Sequence, residues 1–562
     1  MQIRRTLRSL GSIETVFGIA LILSLNAFVI WFVHTERRVF FWDDVTYWLK
    51  FEDVARQLQS HPLTALHSLV TSVRHEDYND LAVWPLAPIA IIFGPSRLAY
   101  SLAVLNVYLI PACASFLLIG LADDRQAPRS AWLAAAFVVC FSPFLWNPVL
   151  SGFLDVGGLI IANVVLGLCW RFPLSQKRSL RLLAALGFLL AMLPLFRRWY
   201  SFWSISFLVT TGAWQLWESR KSWPTVLQLI RNLALVAACY LVTFLGAAGP
   251  LAMRVLHTNY GSAYSAYRLH SNILTDLSSL GSRLGVLHVA MALGGIVAAL
   301  ITGAEARRRT LFLVTQWVLI FAMFTRIQDF NVHHSYLLMQ LIVMAQVFLV
   351  LTVKPRLLAW VLACVGMLSF GHAFVPSVRA LTARLGPVFP GDKYFPERRP
   401  DLNQLIGLRN ALLKEDPEGS PVYVLASSNV LNSHTVKYTE LSLGLERRLE
   451  SSVLWTQSVD KSVGVPAYFF SAKYVVVADP IQYHLRPEDQ RVVGRFAEEL
   501  LTKRGIGQSY VKLSDHFLLE DHTNVYVYRK AGTVPQDQID TLRAAFESDY
   551  PAWPPVKFDP PG

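Results

Sequence analysis

From residue 14 to about residue 374 the chain repeats long apolar runs, separated by short connections rich in Arg and Lys. A helix needs about 20 predominantly apolar residues to cross the roughly 30 Å hydrocarbon core of a bilayer. On that criterion the sequence predicts eleven spans, near 14–34, 98–120, 131–148, 152–170, 182–196, 199–217, 232–253, 284–303, 310–325, 335–353 and 357–374. The run 81–94, LAVWPLAPIAIIFG, is too short and too punctuated by Pro to cross alone, so it reads as a re-entrant or interfacial segment. Hydrophobic residues make up 53% of the 562 residues, too many for a soluble globular protein of this size. The predicted fold class is a polytopic α-helical membrane protein. After residue 374 the sequence turns polar, charged and Pro-rich, so a membrane domain over 1–374 is followed by a soluble domain over 375–562.

The net charge of +12 resides largely in short clusters between apolar runs, where it sets orientation in the membrane. No module of basic residues interleaved with aromatics is present, which excludes nucleic acid as a partner. The five cysteines, Cys113, Cys140, Cys169, Cys239 and Cys364, all fall inside apolar runs and read as small core residues. The N-terminus has a basic flank without a small-residue cleavage site, as expected of an uncleaved first span.

One alternating path places every basic connection on the cytoplasmic side. Arg4, Arg5 and Arg8 come first, then Arg125 and Arg129, the cluster Arg171, Lys177, Arg178 and Arg181, then Arg220, Lys221 and Arg231, then Arg307, Arg308 and Arg309, and finally Lys354 and Arg356. An odd number of spans then sends the C-terminal domain outside. The same path gathers the remaining ionisable residues at span ends on the external face: Asp43 and Asp44, Asp155, Arg197 and Arg198, Arg326 and Asp329, and His333 and His334. Charged residues at span ends are costly unless solvated or paired, and by default they mark a functional site. Snorkelling to the interface accounts for any one of them alone. Convergence of several, of both signs, favours a site.

The C-terminal domain has α/β patterning. Helices are predicted at DLNQLIGLRNALLKED and PEDQRVVGRFAEELLTKRG, and strands at PVYVLASS, KYVVVADP and NVYVYRK. It carries no Gly-rich phosphate loop, no HExxH and no GxSxG, and so reads as accessory: a cover for the site or a surface on which an acceptor docks.

Carboxylates can act as general bases toward a hydroxyl, and arginines bind phosphate through paired, charge-assisted bonds. Together these residue types suit transfer of a group from a phosphate-linked lipid to a hydroxyl acceptor. On spacing alone, Arg197 and Arg198 in LAMLPLFRRWYSFWSISF fit interfacial anchoring equally well.

Several short motifs, in order along most of the chain, resemble the GT-C glycosyltransferases, in the branch that includes bacterial aminoarabinose transferases and protein O-mannosyltransferases. An acidic pair followed by an aromatic in the first external loop is similar to WDDVTYW. The Pro-containing apolar segment and the step into the next span are similar to VWPLAPIAIIFGPSRLAYSLAVLNV, and an aspartate after an SP span is similar to FSPFLWNPVLSGFLDVGG with Asp155. A basic span end resembles LPLFRRWY, and a later His-Tyr-Leu-Leu step resembles HHSYLLMQLIVMAQ. The chain departs from the family at three points. HEDYNDLAVWPLAP has no lysine where many members have Glu-Lys-Pro-Pro, the acidic pair is Asp43–Asp44 instead of Asp-Glu, and HHSYLL has an extra histidine.

The resemblance implies a multi-pass enzyme of the bacterial inner membrane, with a cytoplasmic N-terminus and a periplasmic C-terminal domain. It would move a sugar from a polyprenyl-phosphate donor to a hydroxyl of a glycan, lipid or protein acceptor, with inversion, in building an envelope glycan. Asp43 would be the base, with Asp44 as alternate or orienting partner. Asp155 would position the acceptor or share a divalent cation with Asp43. Arg197 and Arg198, with Arg326 and one of His333 and His334, would stabilise the departing phosphate. A transporter or flippase of a lipid-linked anion would show paired discontinuous helices and midplane charges. A noncatalytic envelope scaffold would need no carboxylates in the first loop.

Overall fold

The structure is a computed structural model that describes residues 12–123, 127–269, 272–456, 459–460, 464–551, 553 and 555–558. Arg4, Arg5, Arg8 and Arg125 lie outside the described residues. The chain forms two compact units. One comprises residues 1–35, 46–258 and 270–396, and the other residues 36–45, 259–269 and 397–562.

Among the described residues the first unit is helical, and each apolar run has a helical counterpart. Among the described residues six helices are individually long and apolar enough to cross a membrane: Thr15–Thr35, Arg97–Gly120, Trp223–His257, Ile273–Thr302, His334–Thr352 and Arg356–Phe374. A seventh candidate is the pair Arg129–Cys140 and Pro143–Ser151, bent by 41° where Pro143 ends the first helix and starts the second. Val156–Arg171 and Leu180–Phe196 are shorter apolar helices, and Tyr200–Ser219 and Ala304–Phe324 complete the set. Apolar side chains all round, with few charges, are what a helix in lipid requires, because every backbone polar group is then satisfied within the helix. Small residues let the helices approach: a Cβ on Gly295 would collide with the Ala345 backbone of the neighbouring Met339–Thr352 helix.

The run 81–94 forms two 3₁₀ turns, Asp80–Ala82 and Trp84–Leu86, and the short helix Ala87–Phe93, ended by Gly94 at φ 81°. Tyr108, in a π-helical turn over Leu105–Leu109, donates its hydroxyl to Ala82 O at 2.6 Å and pins this segment. Two helices that hydropathy does not mark as spans, Asp43–Ser60 and Pro62–His75, precede it.

The second unit is built on a four-stranded mixed sheet in the order β1–β2–β4–β3: β1 (Val422–Leu425), β2 (Tyr474–Asp479), β3 (Tyr510–Leu519) and β4 (Thr523–Lys530). β1 and β2 pair in parallel, and the other pairs are antiparallel. Strand alternation divides the core between the two faces. Val422, Val424 and Val476 pack with Leu405, Leu408 and Leu412 of the helix Leu402–Glu415 on one face. Tyr423, Leu425 and Val475 pack with Phe496, Leu500 and Phe546 of the helices Arg491–Thr502 and Gln536–Asp549 on the other. Three strands and two helices stand where the sequence pattern predicts them. β3 escapes that pattern because it is an edge strand with an irregularity between Lys512 and His516 and mostly exposed polar side chains.

Candidate functional site

In the membrane unit the site is organised around Asp155 and Arg197, which form a buried ion pair, Arg197 Nε to Asp155 Oδ1, at 3.0 Å. Asp155 occupies the N-cap position of Val156–Arg171, and its side chain serves Arg197 instead of capping its own helix. Arg197 ends Leu180–Phe196 in an extended conformation. The sequence LDVGG permits the close meeting of these helix ends. A Cβ on Gly157 would run into Phe196, and one on Gly158 into Tyr200, whose hydroxyl donates to Asp155 O at 2.7 Å.

Aromatic faces complete the setting of the guanidinium. Arg197 lies 5.0 Å from the ring centroid of Tyr47 and 5.1 Å from that of Tyr78, within the range where a desolvated cation gains from a π face. Arg198 turns outward, pairs with Asp77 at 2.9 Å and lies 4.7 Å from the Trp199 ring. Asp77 also pairs with Arg254 at 3.1 Å. The segment HEDYND thus presents an anion to Arg198 and an aromatic ring to Arg197. It is fixed by Asn79 Nδ2 donating to Leu195 O at 2.9 Å and by Lys50, which bonds Glu76 at 2.9 Å and Asp80 at 2.7 Å.

His333 and His334 are both buried, with ring centroids 4.0 Å apart. His333 stacks on Phe153 at 4.2 Å, and His334 meets the edge of Trp199 at 5.0 Å and hydrogen-bonds Gln328. Arg197 and Arg283 lie within electrostatic reach of both rings, and Arg198 within reach of His334. The structure therefore brings Asp155, Arg197, Arg198, His333 and His334 together. Arg326 is exposed and makes no ion pair among the described residues. Arg283, absent from the sequence-based set, donates to Phe330 O at 2.7 Å and lies 4.0 Å from Asp392.

Asp43 and Asp44 open the helix Asp43–Ser60 and belong with residues 36–45 to the C-terminal unit. Arg37 forms a parallel bridge with Arg398, through Arg37 N to Glu397 O at 2.7 Å and Arg399 N to Arg37 O at 2.9 Å. Val39 enters the core of the unit, and Phe40 N donates to Ser442 Oγ at 3.0 Å. Trp42 N donates to His434 Nδ1 at 2.9 Å, and its ring lies 4.6 Å from His484. Trp42 has φ 49°, a left-handed conformation that costs a non-glycine residue roughly 1–2 kcal/mol. Asp44 is paired with Arg38 Nη1 at 3.1 Å, and Arg38 also approaches Glu36 at 3.7 Å and Glu397 at 3.4 Å.

Two solved structures share this architecture. ArnT from Cupriavidus metallidurans in the apo state superposes with a TM-score of 0.50 at 13% identity, over 92% of this chain and 98% of that one. The same protein bound to undecaprenyl phosphate superposes with a TM-score of 0.52 at 12% identity, over 91% and 97%.

The chain has the ArnT fold.

No protein-family model and no curated protein matches it. The likeness to ArnT agrees with the fold class the sequence predicts, a polytopic helical membrane protein with a C-terminal α/β unit. Within it, Arg38, Asp77, Arg254 and Arg283 are the ionisable partners that span hydropathy does not single out. Asp77 and Arg38 lie in polar segments where charge is unremarked, and Arg283 stands just before the apolar run that defines its span. The Asp155 carboxylate is bonded to a guanidinium, and no group of three or more His, Cys, Asp or Glu among the described residues could hold a metal.

Proposed function

We propose that this chain is a membrane glycosyltransferase that transfers a sugar from a polyprenyl-phosphate donor to an acceptor hydroxyl at the external face of the bacterial inner membrane. The observation that carries the reading is the set Arg197, Arg198, His333 and His334, assembled around Asp155 in a chain whose fold matches a protein crystallised with undecaprenyl phosphate. Arg197, paired with Asp155 and set against two aromatic rings, and Arg198 take the donor phosphate, with Arg283 and the histidine pair adding to the site. Arg326, exposed, is assigned no phosphate contact. Asp43 is taken as the base, with Asp44, which pairs with Arg38, as its alternate or orienting partner. Asp43 removes the acceptor hydroxyl proton as the acceptor oxygen bonds to the anomeric carbon. The bond from that carbon to the phosphate oxygen breaks with inversion. The leaving phosphate gains negative charge, which the arginines stabilise more strongly in the transition state than in the ground state.

The test is transfer of radiolabel from undecaprenyl-phosphate-linked sugars by the purified protein in detergent, alongside binding of undecaprenyl phosphate itself. Micromolar binding that is lost in Arg197→Ala, together with label transfer lost in Asp43→Asn, supports the reading. Absence of binding by wild-type protein refutes it.

A further inference from the structure

The turn that ends in the acidic pair is held by side chains and backbone far away in sequence. Its earlier part is tethered by backbone bonds from Arg37 and by Ser442. Its last residue before Asp43 is Trp42, in a left-handed conformation that a bulky side chain rarely adopts and that persists only where surrounding contacts impose it. Two histidines are among the contacts that hold it. His434 Nδ1 accepts the Trp42 N–H at 2.9 Å, and His484 lies against the indole at 4.6 Å. Both histidines are themselves fixed. His434 belongs to the turn Ser433–Lys437, which a reciprocal cap between Asn432 and Thr435 secures, and its ring lies 5.2 Å from Tyr438. His484 Nδ1 lies 2.9 Å from Ser427 O and 3.1 Å from the Gln490 amide.

We infer that His434 is a positioning residue for the acidic pair: by accepting the Trp42 N–H it fixes the strained turn from which Asp43 and Asp44 start their helix, so the C-terminal unit sets the geometry of the carboxylates. Because Asp43 belongs to this same unit, the C-terminal unit then holds the base in place, an assignment that rests on the reading of Asp43 as the base. The requirement is for an acceptor atom at one place. An apolar side chain of similar size leaves a half-buried N–H without its bond, which releases Trp42 from its strained conformation. Asparagine puts its Oδ1 about where histidine puts Nδ1, and so restores the acceptor.

Hydrogen exchange followed by mass spectrometry on the full chain in nanodiscs, over residues 36–48, tests the anchor without any ligand. In His434→Leu the Trp42 amide should exchange about tenfold faster or more, as expected for the loss of one hydrogen bond. Turnover of an undecaprenyl-phosphate-linked sugar should fall by a similar factor, with KM for that donor and binding of undecaprenyl phosphate unchanged. His434→Asn should restore both protection and turnover, which a loss of overall folding would not allow. Unchanged Trp42 protection in His434→Leu overturns the inference. So does lost protection with full turnover. If Asp43→Asn keeps full turnover, the assignment of the base falls and with it the catalytic consequence, while the exchange data still decide whether His434 is the anchor.

Discussion

Asp155 and Arg197, 42 residues apart in sequence, meet at 3.0 Å with side chains only 3% and 4% exposed. Neither charge can be removed without leaving the other buried and uncompensated. Loss of one partner of such a pair costs about 3–5 kcal/mol, much of it the stranding of the survivor. Asp155→Ala and Arg197→Ala should each lower the thermal unfolding midpoint in detergent, and the double variant should cost clearly less than the sum. A double-mutant cycle with no coupling would show that the pair does not hold the two helix ends together.

Arg197 and Arg198 should respond differently to lysine. Arg197 is buried between Tyr47 and Tyr78, where a planar guanidinium stacks and an ammonium does not. Arg198 faces Asp77 at 2.9 Å, an ion pair that lysine can also make. Arg197→Lys should weaken undecaprenyl phosphate binding by about tenfold or more, the loss expected when a forked contact becomes a point charge. Arg198→Lys should bind within a few fold of wild type. Full affinity in both would show that neither guanidinium holds the phosphate.

Asp43→Asn retains shape and removes basicity, so turnover should fall by roughly 10²-fold or more with donor affinity intact. Asp44→Asn breaks the 3.1 Å pair with Arg38 and should act through loop order. Its signature is faster hydrogen exchange over residues 36–48, which Asp43→Asn should not produce. An inactive Asp44→Asn with unaltered exchange, beside an active Asp43→Asn, would exchange the two roles.

Burial, with a contribution from Lys437, pushes the His434 pKa down to about 4. The unfolded chain, with an ordinary histidine near 6.5, then binds more protons than the folded one between those values. Stability from a neutral His434 is complete above about pH 6.5 and is lost as pH falls toward about 4, by up to about 3 kcal/mol. Trp42 protection, followed between pH 7 and pH 4, should decline over this window in wild type. In His434→Asn the decline should be shallower. Parallel curves would assign the acid sensitivity to other groups.

The alternation of basic connections predicts that residues 375–562 lie outside the cytoplasm. A reporter active only outside the cytoplasm, fused after Gly562, should be active. Activity of a cytoplasm-only reporter there would invert the orientation, and with it the external placement of the charged span ends.

The sequence alone determined the parts whose signal is local. Apolar runs specify membrane helices because lipid tolerates only a backbone that bonds itself, and the 2-residue and 3.6-residue periods of the C-terminal domain specify its buried strands and helices. Asp155, Arg197 and the His333–His334 pair stood out because charge at an apolar span end is costly wherever the chain folds. Partners were not legible. Nothing near Asp155 in sequence indicates Arg197, and nothing in HEDYND indicates that Asp77 faces Arg198 and Arg254. β3 was missed because an exposed edge strand needs no apolar alternation. Only the tertiary structure decided that residues 36–45 belong with the C-terminal unit, held through Arg398, Ser442 and His434 some 360 to 400 residues later. Hydrogen bonds and ion pairs join groups by distance in space, and a single sequence records no such distance between residues this far apart.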